Sequence, residues 1–400
     1  MATTTQRYSE NIEHIKPSAT LAVAALARQL RAAGRPVIDL SAGQPDFPTP
    51  EFIAEAGVEA IRQGRTGYAP APGIPELRAA IAEDLSESYG IQAAADGVVV
   101  TVGAKQALFN ALFVLVGPGD KVLVPVPYWT SYPYLVHLAR AQPVEVAGVE
   151  ANGYKVGPDE LEAAWDPSVR ALLLNSPSNP SGAVYSDAEI RAVLEWAARR
   201  EVWVLSDEIY SRIYFEGELA PGILSHPGEL LERYVVINGA SKSFAMTGWR
   251  IGFTYSSPEL AGRMSALQSH ITTSAATPAQ VAAAAAYGQR ERRDEAVRDM
   301  TRAFRARRDM LLELFQRRFP GAGFVQPDGA FYLFFRLDAH FAAGEGSVEL
   351  CRRILEEAEV ALVPGAAFGD DRYVRLSFAA SEESIREGVE RVATLLGAGG

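Results

Sequence analysis

The sequence predicts an α/β protein with two lobes: a large lobe built on a mostly parallel sheet covered by helices, and a smaller α+β lobe. Three observations support this prediction. The chain has 400 residues, enough for more than one core. From residue 98 onward, short apolar segments alternate with helical patterns, as in strand–helix–strand units. After about residue 290 the pattern changes to a long charged helix and a compact tail.

The strands predicted for the large lobe are short and almost continuously apolar. They cover residues 98–102, 122–127, 170–174, 202–205 and 234–237. Strands without polar alternation are buried on both faces, which is typical of a parallel sheet. One predicted helix begins after Gly103 and ends at Gly117, and a capping box at residues 186–189 begins another that runs to about Arg200.

The tail predicts a second lobe that the beginning of the chain completes. A helix is predicted over residues 19–33, and the charged helix covers about 290–318. Strands are predicted at 330–335, 360–363 and 373–378, and helices at about 348–358 and 382–396. The predicted division is an N-terminal segment (1–50) belonging to the small lobe, a large cofactor-binding domain (51–295) and a small domain (296–400).

Composition excludes several classes of function. The formal net charge of -11 gives no general attraction to nucleic acid or to an anionic membrane. No apolar run reaches about 18 residues, and the first residues lack the layout of a secretion signal. Cys351 is the single cysteine, and the five histidines are scattered. We therefore expect a soluble, cytoplasmic protein with no metal, nucleic-acid partner or membrane partner.

Lys242 is the candidate catalytic residue. It follows the 234–237 strand in a turn rich in Gly and Ser, with Arg250 further along and no acidic residue close in sequence. A lysine kept away from carboxylates and partly desolvated has a lowered pKa, which suits an amine that forms a Schiff base with an aldehyde. A solvated surface lysine is the alternative on this segment alone.

Polar and aromatic residues follow the carboxyl ends of the predicted strands, where parallel sheets bind ligands. These residues are Lys105, Trp129, Asn179, Asp207, Tyr210 and Lys242. The helix that begins after Gly103 offers free backbone N–H groups to an anion. The segment is neither a Rossmann fingerprint nor a Walker loop. A cofactor with an aldehyde, a phosphate and a pyridine ring would use the whole set.

Each residue type has a place in binding such a cofactor. Lys242 would bond the aldehyde, and Asp207 would pair with the pyridine nitrogen. Tyr210 and Asn179 can hydrogen-bond the ring hydroxyl, and Trp129 can stack on the ring. The residues expected to hold the phosphate are Gly103, Ala104, Lys105, Ser241 and Arg250.

Three other residues have two interpretations each. Gly43 lies in a proline-bracketed loop that is either a linker or a place where a ligand approaches the backbone. Tyr68 lies among prolines and either stays on the surface or covers a ligand or a neighbour. Arg375 belongs to the 373–378 strand, and it points either to solvent from an edge strand or into the cleft between the lobes.

Together these motifs resemble the class I aminotransferases of fold type I, which use pyridoxal phosphate. The similarity extends over almost the whole chain, from Lys16 to Arg375. The segments that carry it are 68–78, 179–182, 206–210 and 241–252. Segments 102–110 and 127–129 are most similar to the bacterial aspartate aminotransferase branch, which includes aspartate/prephenate aminotransferases.

The resemblance implies further roles. Arg375 would bind the substrate α-carboxylate. The residues implied to line the same subsite are Gly43, Trp129 and Asn179. Lys105 would meet a side-chain carboxylate, and Lys16 is the residue associated with prephenate use. Tyr68 would reach the phosphate bound by the partner subunit, which implies a homodimer with shared active sites.

The implied reaction is transamination between amino acid and 2-oxo acid substrates, with aspartate as donor and 2-oxoglutarate as acceptor. The branch also implies amino transfer from aspartate or glutamate to prephenate. The alternatives are an aminotransferase for alanine, aromatic or other neutral amino acids, or a β-lyase on the same scaffold. A pyridoxal-phosphate-binding regulator is the non-enzyme alternative, but it would need a basic winged-helix segment, for which the N-terminus has no room.

Overall fold

The computed structural model describes residues 9, 12, 14–17 and 19–398. The strands are β1 (Ile38–Asp39), β2 (Val98–Val102), β3 (Lys121–Val126), β4 (Gln142–Ala147), β5 (Val169–Asn175), β6 (Trp203–Asp207), β7 (Tyr234–Gly239), β8 (Ile251–Tyr255), β9 (Tyr332–Arg336), β10 (Val360–Ala361), β11 (Val363–Pro364) and β12 (Tyr373–Ser377). The helices are α1 (Ala19–Ala32), α2 (Glu51–Arg62), α3 (Pro75–Tyr89), α4 (Ala104–Leu115), α5 (Tyr132–Leu138), α6 (Pro158–Ala164), α7 (Asp187–Arg200), α8 (Ala240–Ser243), α9 (Pro258–Ser269), α10 (Thr277–Gly288), α11 (Arg290–Arg318), α12 (Ser347–Arg353) and α13 (Glu382–Leu395).

The large lobe is organised around a seven-stranded sheet in the order β2-β8-β7-β6-β5-β3-β4. The pairs from β4 through β7 are parallel, and β8 runs antiparallel to both of its neighbours. Apolar side chains are buried on both faces of this sheet. Such double burial requires the near-continuous apolar strands seen in the sequence. The predicted mostly parallel α/β sheet is confirmed.

The parallel strands deliver the candidate residues to one edge of the sheet. The carboxyl ends of β3, β5, β6 and β7 lie at this edge because these strands are parallel. Strand β8 is antiparallel to both β2 and β7, so β2 runs in the same direction as β7 and its carboxyl end lies at the same edge. Helix α4 begins directly after β2, and Gly103 makes the junction with a φ of 79°. This left-handed conformation is readily available to glycine. Helix α8, which carries Lys242, begins directly after β7.

The small lobe contains a three-stranded antiparallel sheet in the order β11-β12-β9. The N-terminal segment reaches this lobe, since β1 pairs in parallel with β10, with Ile38 opposite Val360. On α1, Ala27 is fully buried and packs in a cluster with Leu355 and Ala361. These contacts support the proposed assignment of residues 1–50 to the small lobe.

Several predicted elements are confirmed, and two are wrong in part. Helix α11 begins and ends where predicted, and α7 has the predicted capping box between Ser186 and Glu189. The predicted strand 360–363 is two strands in two sheets, β10 and β11. The predicted helix 348–358 is α12 followed by a π-helical turn at Ile354–Ala358. In the described part of the chain, no helix combines the length and the apolar character that crossing a membrane requires.

Candidate active site

A cavity of about 450 Å³ lies between the carboxyl edge of the large sheet and the small lobe. We call it the cleft. The predicted site residues that line the cleft are Gly43, Ala104, Lys105, Trp129, Asn179, Asp207, Tyr210, Ser241, Lys242, Arg250 and Arg375. Gly103 lies next to them, at the start of α4. The fold thus brings together residues that are as much as 334 positions apart in sequence.

Lys242 lies on α8 and extends into the cleft. Its Nζ donates a hydrogen bond to the carbonyl oxygen of Gly43 and lies 5.9 Å from the centre of the Tyr210 ring. Burial lowers the pKa of Lys242 to about 7. The charges of Arg375 and Arg250 contribute to this lowered pKa, and the charge of Asp207 opposes it. Near neutral pH a large fraction of the amine is therefore unprotonated, as a nucleophilic lysine requires.

Asp207 ends β6 and is 4% exposed. Its carboxylate accepts hydrogen bonds from the Tyr132 hydroxyl at 2.7 Å and from the backbone N–H of Ile209 at 3.3 Å. Burial raises the pKa of Asp207 to about 6, although both hydrogen bonds lower it. A buried carboxylate is costly without a cationic partner. A protonated ring nitrogen in the cleft would supply that partner.

Arg375 lies on β12, the central strand of its sheet, so the edge-strand alternative is wrong. Its guanidinium donates to Oδ1 of Asn179 at 3.0 Å and to the carbonyl oxygen of Ser41 at 2.8 Å. Burial lowers the pKa of Arg375. Its Nε is buried and has no hydrogen-bond partner among the described residues. A carboxylate can accept from this free N–H and neutralise the buried charge.

The start of α4 and Arg250 lie together at one side of the cleft. Arg250 adopts a left-handed φ of 58°, and its Nη1 donates to the carbonyl oxygen of Thr247 at 2.9 Å. The guanidinium lies so close to Gly103 that a Cβ there would overlap it. A Cβ on Gly252 would likewise overlap the backbone of Gly103 and Ala104. The two glycines therefore let β8 and Arg250 approach the free N–H groups of α4, where a phosphate can bind.

The aromatic side of the cleft contains Trp129 and three tyrosines. The Tyr210 and Tyr332 hydroxyls lie 2.9 Å apart, and the Trp129 ring meets the Tyr132 ring edge-on at 5.5 Å. Lys105 places its Nζ 4.9 Å from the centre of the Trp129 ring. Desolvation by the cleft walls, followed by the charge of Arg250, lowers the pKa of Lys105.

Sequence reasoning missed four residues that hold this site together. They are Ser41, Tyr132, Asn175 and Tyr332. Asn175 donates to the backbone carbonyl of Asp207 at 2.8 Å and accepts from the backbone N–H of Asn179 at 2.9 Å. Asn175 could have been found, because a polar amide ending an apolar strand at the ligand edge is itself a signal. For the other three we find no local signal.

Two predicted residues lie outside the cleft. Tyr68 is 96% exposed between α2 and α3, and Lys16 is exposed ahead of α1. Neither lines the cavity of its own chain. Among the residues that the structure describes, no group of three or more His, Cys, Asp or Glu side chains is placed to hold a metal ion.

The cleft is positively charged within an acidic protein. Five basic side chains line it against two carboxylates, whereas the whole chain has a formal net charge of -11. The basic residues are Arg28, Lys105, Lys242, Arg250 and Arg375, and the lowered pKa of Lys242 leaves much of its amine uncharged near pH 7. Within residues 9, 12, 14–17 and 19–398, none of these five forms an ion pair with a carboxylate. The excess charge therefore remains available to an anionic ligand.

Comparison with known proteins agrees with this geometry. Residues 35–392 match the model of the family described as aminotransferase class I and II. The chain is 43% identical to an aspartate aminotransferase of Streptomyces avermitilis, covering 98% of this chain and 97% of the relative. It is 42% identical to a probable aspartate/prephenate aminotransferase of Thermus aquaticus, covering 97% of this chain and 99% of that relative.

Solved structures give the same result. The aspartate aminotransferase of Thermus thermophilus, solved with maleate, matches with a TM-score of 0.92 and 41% identity over 98% of this chain and all of that one. The enzyme of Rhizobium meliloti matches with a TM-score of 0.91 and 37% identity over 98% and 99% of the two chains. Sequence, fold and cleft agree: the chain belongs to the class I and II aminotransferase family.

Proposed function

We propose that the protein is a pyridoxal-phosphate-dependent aminotransferase that takes its amino group from a dicarboxylic amino acid, with aspartate as donor and 2-oxoglutarate as acceptor. The observation that carries the proposal is the meeting of Lys242, Asp207 and Arg375 in one cleft. These residues supply an amine with a lowered pKa, a buried carboxylate, and an arginine with a free N–H.

The cleft fits the proposed cofactor at both ends. The start of α4, Ser241 and Arg250 would hold the phosphate, and Asp207 would hold the pyridine nitrogen. Tyr210 and Asn179 would bond the ring hydroxyl, and Trp129 would cover one face of the ring. When bound, pyridoxal phosphate supplies an aldehyde that condenses with amines and a ring that withdraws electrons from Cα.

The protein residues would then bind the substrate and move its proton. Arg375 would hold the α-carboxylate through its free Nε–H, which fixes the Cα–H bond near Lys242. Lys242, with its pKa of about 7, would take the proton from Cα and return it as a general acid–base group. Lys105, on the large-lobe wall beside Trp129, would meet the second carboxylate.

Two relatives support the substrate class. The Thermus thermophilus enzyme was solved with maleate, which is a four-carbon dicarboxylate. The Thermus aquaticus relative is named for aspartate and prephenate. We therefore propose prephenate as a second acceptor. Lys16 would serve it, as the resemblance implies, although this residue lies outside the cleft of its own chain.

We also propose a cytoplasmic homodimer with shared sites. Tyr68 is exposed, and nothing in its own cleft requires it. A large exposed phenol among prolines is suited to a partner subunit, where it would reach the phosphate.

Steady-state rates with a panel of donors and acceptors, including prephenate, test this function. The wild-type protein should require a 2-oxo acid in stoichiometric amounts, whereas a β-lyase would not. Lys105→Ala should lower kcat/KM for aspartate and glutamate by roughly 10- to 150-fold, because a charge-assisted contact contributes about 1.5–3 kcal/mol. Alanine and phenylalanine should lose much less.

The matched control is Lys121→Ala, which removes a lysine that pairs with Asp166 away from the cleft. It should leave all donors unchanged. A uniform loss across donors in Lys105→Ala would assign Lys105 to the phosphate instead. Wild-type protein that transfers no amino group in any pairing would overturn the proposed function.

A further inference from the structure

We propose that Arg28 is a further specificity-determining residue, which binds the distal carboxylate of five-carbon dicarboxylic substrates, glutamate and 2-oxoglutarate. This inference rests on the proposed function, since it names a substrate contact of the same cleft. Arg28 lines the cleft, but the proposed function gives it no contact with the cofactor or with the substrate α-carboxylate.

The packing of α1 directs Arg28 toward the cleft. Ala27 is fully buried against the small lobe, in a cluster that Val23 and Leu30 join from the same helix. The neighbouring face of the helix presents Ala24 and Arg28, one turn apart, and both line the cleft. One face of α1 is thus fixed by burial, and this fixes where the adjacent face lies.

Arg28 is also available, unlike the basic residues that follow it. Arg31 donates to the carbonyl oxygen of Val37 at 2.8 Å and lies 4.0 Å from Asp39. Arg35 pairs with Glu359 at 3.0 Å. Arg28 is exposed and has no hydrogen bond or ion pair with any residue that the structure describes. Arg31 on the same helix and Arg35 after it are thus engaged by backbone and carboxylates, whereas the Arg28 guanidinium lines the cleft without a partner among the described residues.

Lys105 and Arg28 approach the cleft from different parts of the fold. Lys105 belongs to the large lobe and lies against Trp129, near the place proposed for the ring. Arg28 lies on α1, the helix that packs against the small lobe. A side chain longer by one methylene carries its carboxylate further from Cα. We therefore keep Lys105 as the partner of the distal carboxylate in both four- and five-carbon substrates, and we assign to Arg28 a second contact that only the longer substrates reach.

The test compares Arg28→Gln with two controls, Arg31→Gln on the same helix and Arg62→Gln on α2. Arg62 is exposed and lies outside the cleft, so its loss reports the change in net charge alone. Arg31→Gln reports disturbance of the helix, because Arg31 braces the segment that follows it. Two quantities are measured: kcat/KM for glutamate, aspartate and alanine, and the binding of glutarate and succinate to the cofactor-loaded protein.

Arg28→Gln should lower kcat/KM for glutamate about three- to fivefold, mainly through KM, as expected for an exposed ion pair worth up to about 1 kcal/mol. Glutarate binding should weaken by a similar factor. Aspartate, alanine and succinate should change less than about twofold, and Arg28→Lys should recover part of the loss.

Two results would overturn the inference. Equal losses for glutamate, aspartate and alanine would mean that Arg28 only positions α1. Unchanged glutamate kinetics and glutarate binding would mean that its side chain is merely solvated. Both results leave wild-type transamination intact, so they are distinct from failure of the proposed function, in which the wild-type protein itself transfers no amino group.

Discussion

Burial moves the pKa values of the two central ionisable residues in opposite directions, toward each other. The pKa of Lys242 falls to about 7 and that of Asp207 rises to about 6. Water would favour the charged form of both groups, and the cleft removes that advantage. The proposed chemistry needs a neutral amine at Lys242 and a carboxylate at Asp207 that can pair with a cationic ring nitrogen.

Replacing Lys242 tests the covalent and proton-transfer roles together. Wild-type protein should show a visible absorbance that borohydride abolishes, since the lysine is the proposed anchor of the cofactor aldehyde. Lys242→Ala should lose transamination by several orders of magnitude. Spectra and single-turnover rates check this, with Lys121→Ala as the folded control. A Lys242→Ala variant with near-normal turnover would end the proposal.

The shifted pKa values also predict how the stability of the cofactor-free protein depends on pH. The pKa of Lys242 lies below its usual 10.5, so between about pH 7 and 10.5 the unfolded chain binds more protons and stability rises with pH. The pKa of Asp207 lies above its usual 3.8, so stability falls as pH rises from about 3.8 to 6.

Urea unfolding of wild type and Lys242→Ala between pH 7 and 10 checks the first of these effects. The free energy of unfolding of the wild type should rise relative to that of the variant, at up to about 1.4 kcal/mol per pH unit. Parallel curves for the two proteins would show that the Lys242 amine has an ordinary pKa in the cofactor-free fold.

At the scale of secondary structure, local sequence patterns predicted the bounds of those elements whose ends are determined by their own residues. Strand β2 and helices α7 and α11 have the predicted bounds because apolar runs, capping residues and helical spacing lie within the segments themselves. Strand β8 was missed, since it follows the lysine turn closely and its reversed direction is set by β2 and β7. The split at residues 360–363 was missed because it requires two different sheets.

The same limit applies to the site residues. Strand-end position predicted Asp207 and Asn179, and the helix start predicted Gly103. Alternation placed Arg375 on one face of its strand, but it could not tell whether that strand is central or at an edge. Tyr132 begins a helix that sequence did not indicate, and its hydroxyl meets Asp207 only through the fold. Such contacts join segments that are distant in sequence, so local sequence patterns do not predict them.

The junction of β8 and α4 gives a prediction for the anion site. Gly252→Ala would place a Cβ on the backbone of Gly103 and Ala104, so it should push the start of α4 away from β8. Cofactor affinity should fall at least about tenfold, because backbone N–H groups bind a phosphate only at hydrogen-bond distance.

Gly248→Ala is the matched control for this junction. Gly248 lies in the same segment, and a Cβ there meets nothing within 4 Å. Equilibrium titration with pyridoxal phosphate compares the two variants. Equal affinities in Gly252→Ala and Gly248→Ala would show that the helix start does not hold the phosphate.

At the scale of the whole molecule, the proposed homodimer predicts complementation. Tyr68→Phe is too mild for this test, so an inactive Tyr68→Ala variant is mixed with Lys242→Ala under conditions that exchange subunits. If Tyr68 serves the partner, each mixed dimer contains one site with both defects and one site with none, and the intact site regenerates activity. Activity assays on mixtures with verified exchange measure this. Inactive mixed dimers would place Tyr68 within its own subunit, or outside the mechanism.

Because β1 pairs with β10, the small lobe cannot be completed until most of the chain has been synthesised. Ser41 and Arg375 are 334 residues apart, and at about 5–20 residues per second the ribosome needs on the order of half a minute to make the interval between them. The N-terminal segment is synthesised first, and its lobe is complete only after β10 and β12 have been synthesised. A nascent chain therefore contains Lys242 before it contains Arg375, which helps to lower the pKa of that lysine, so the complete site forms only in the last stage of translation.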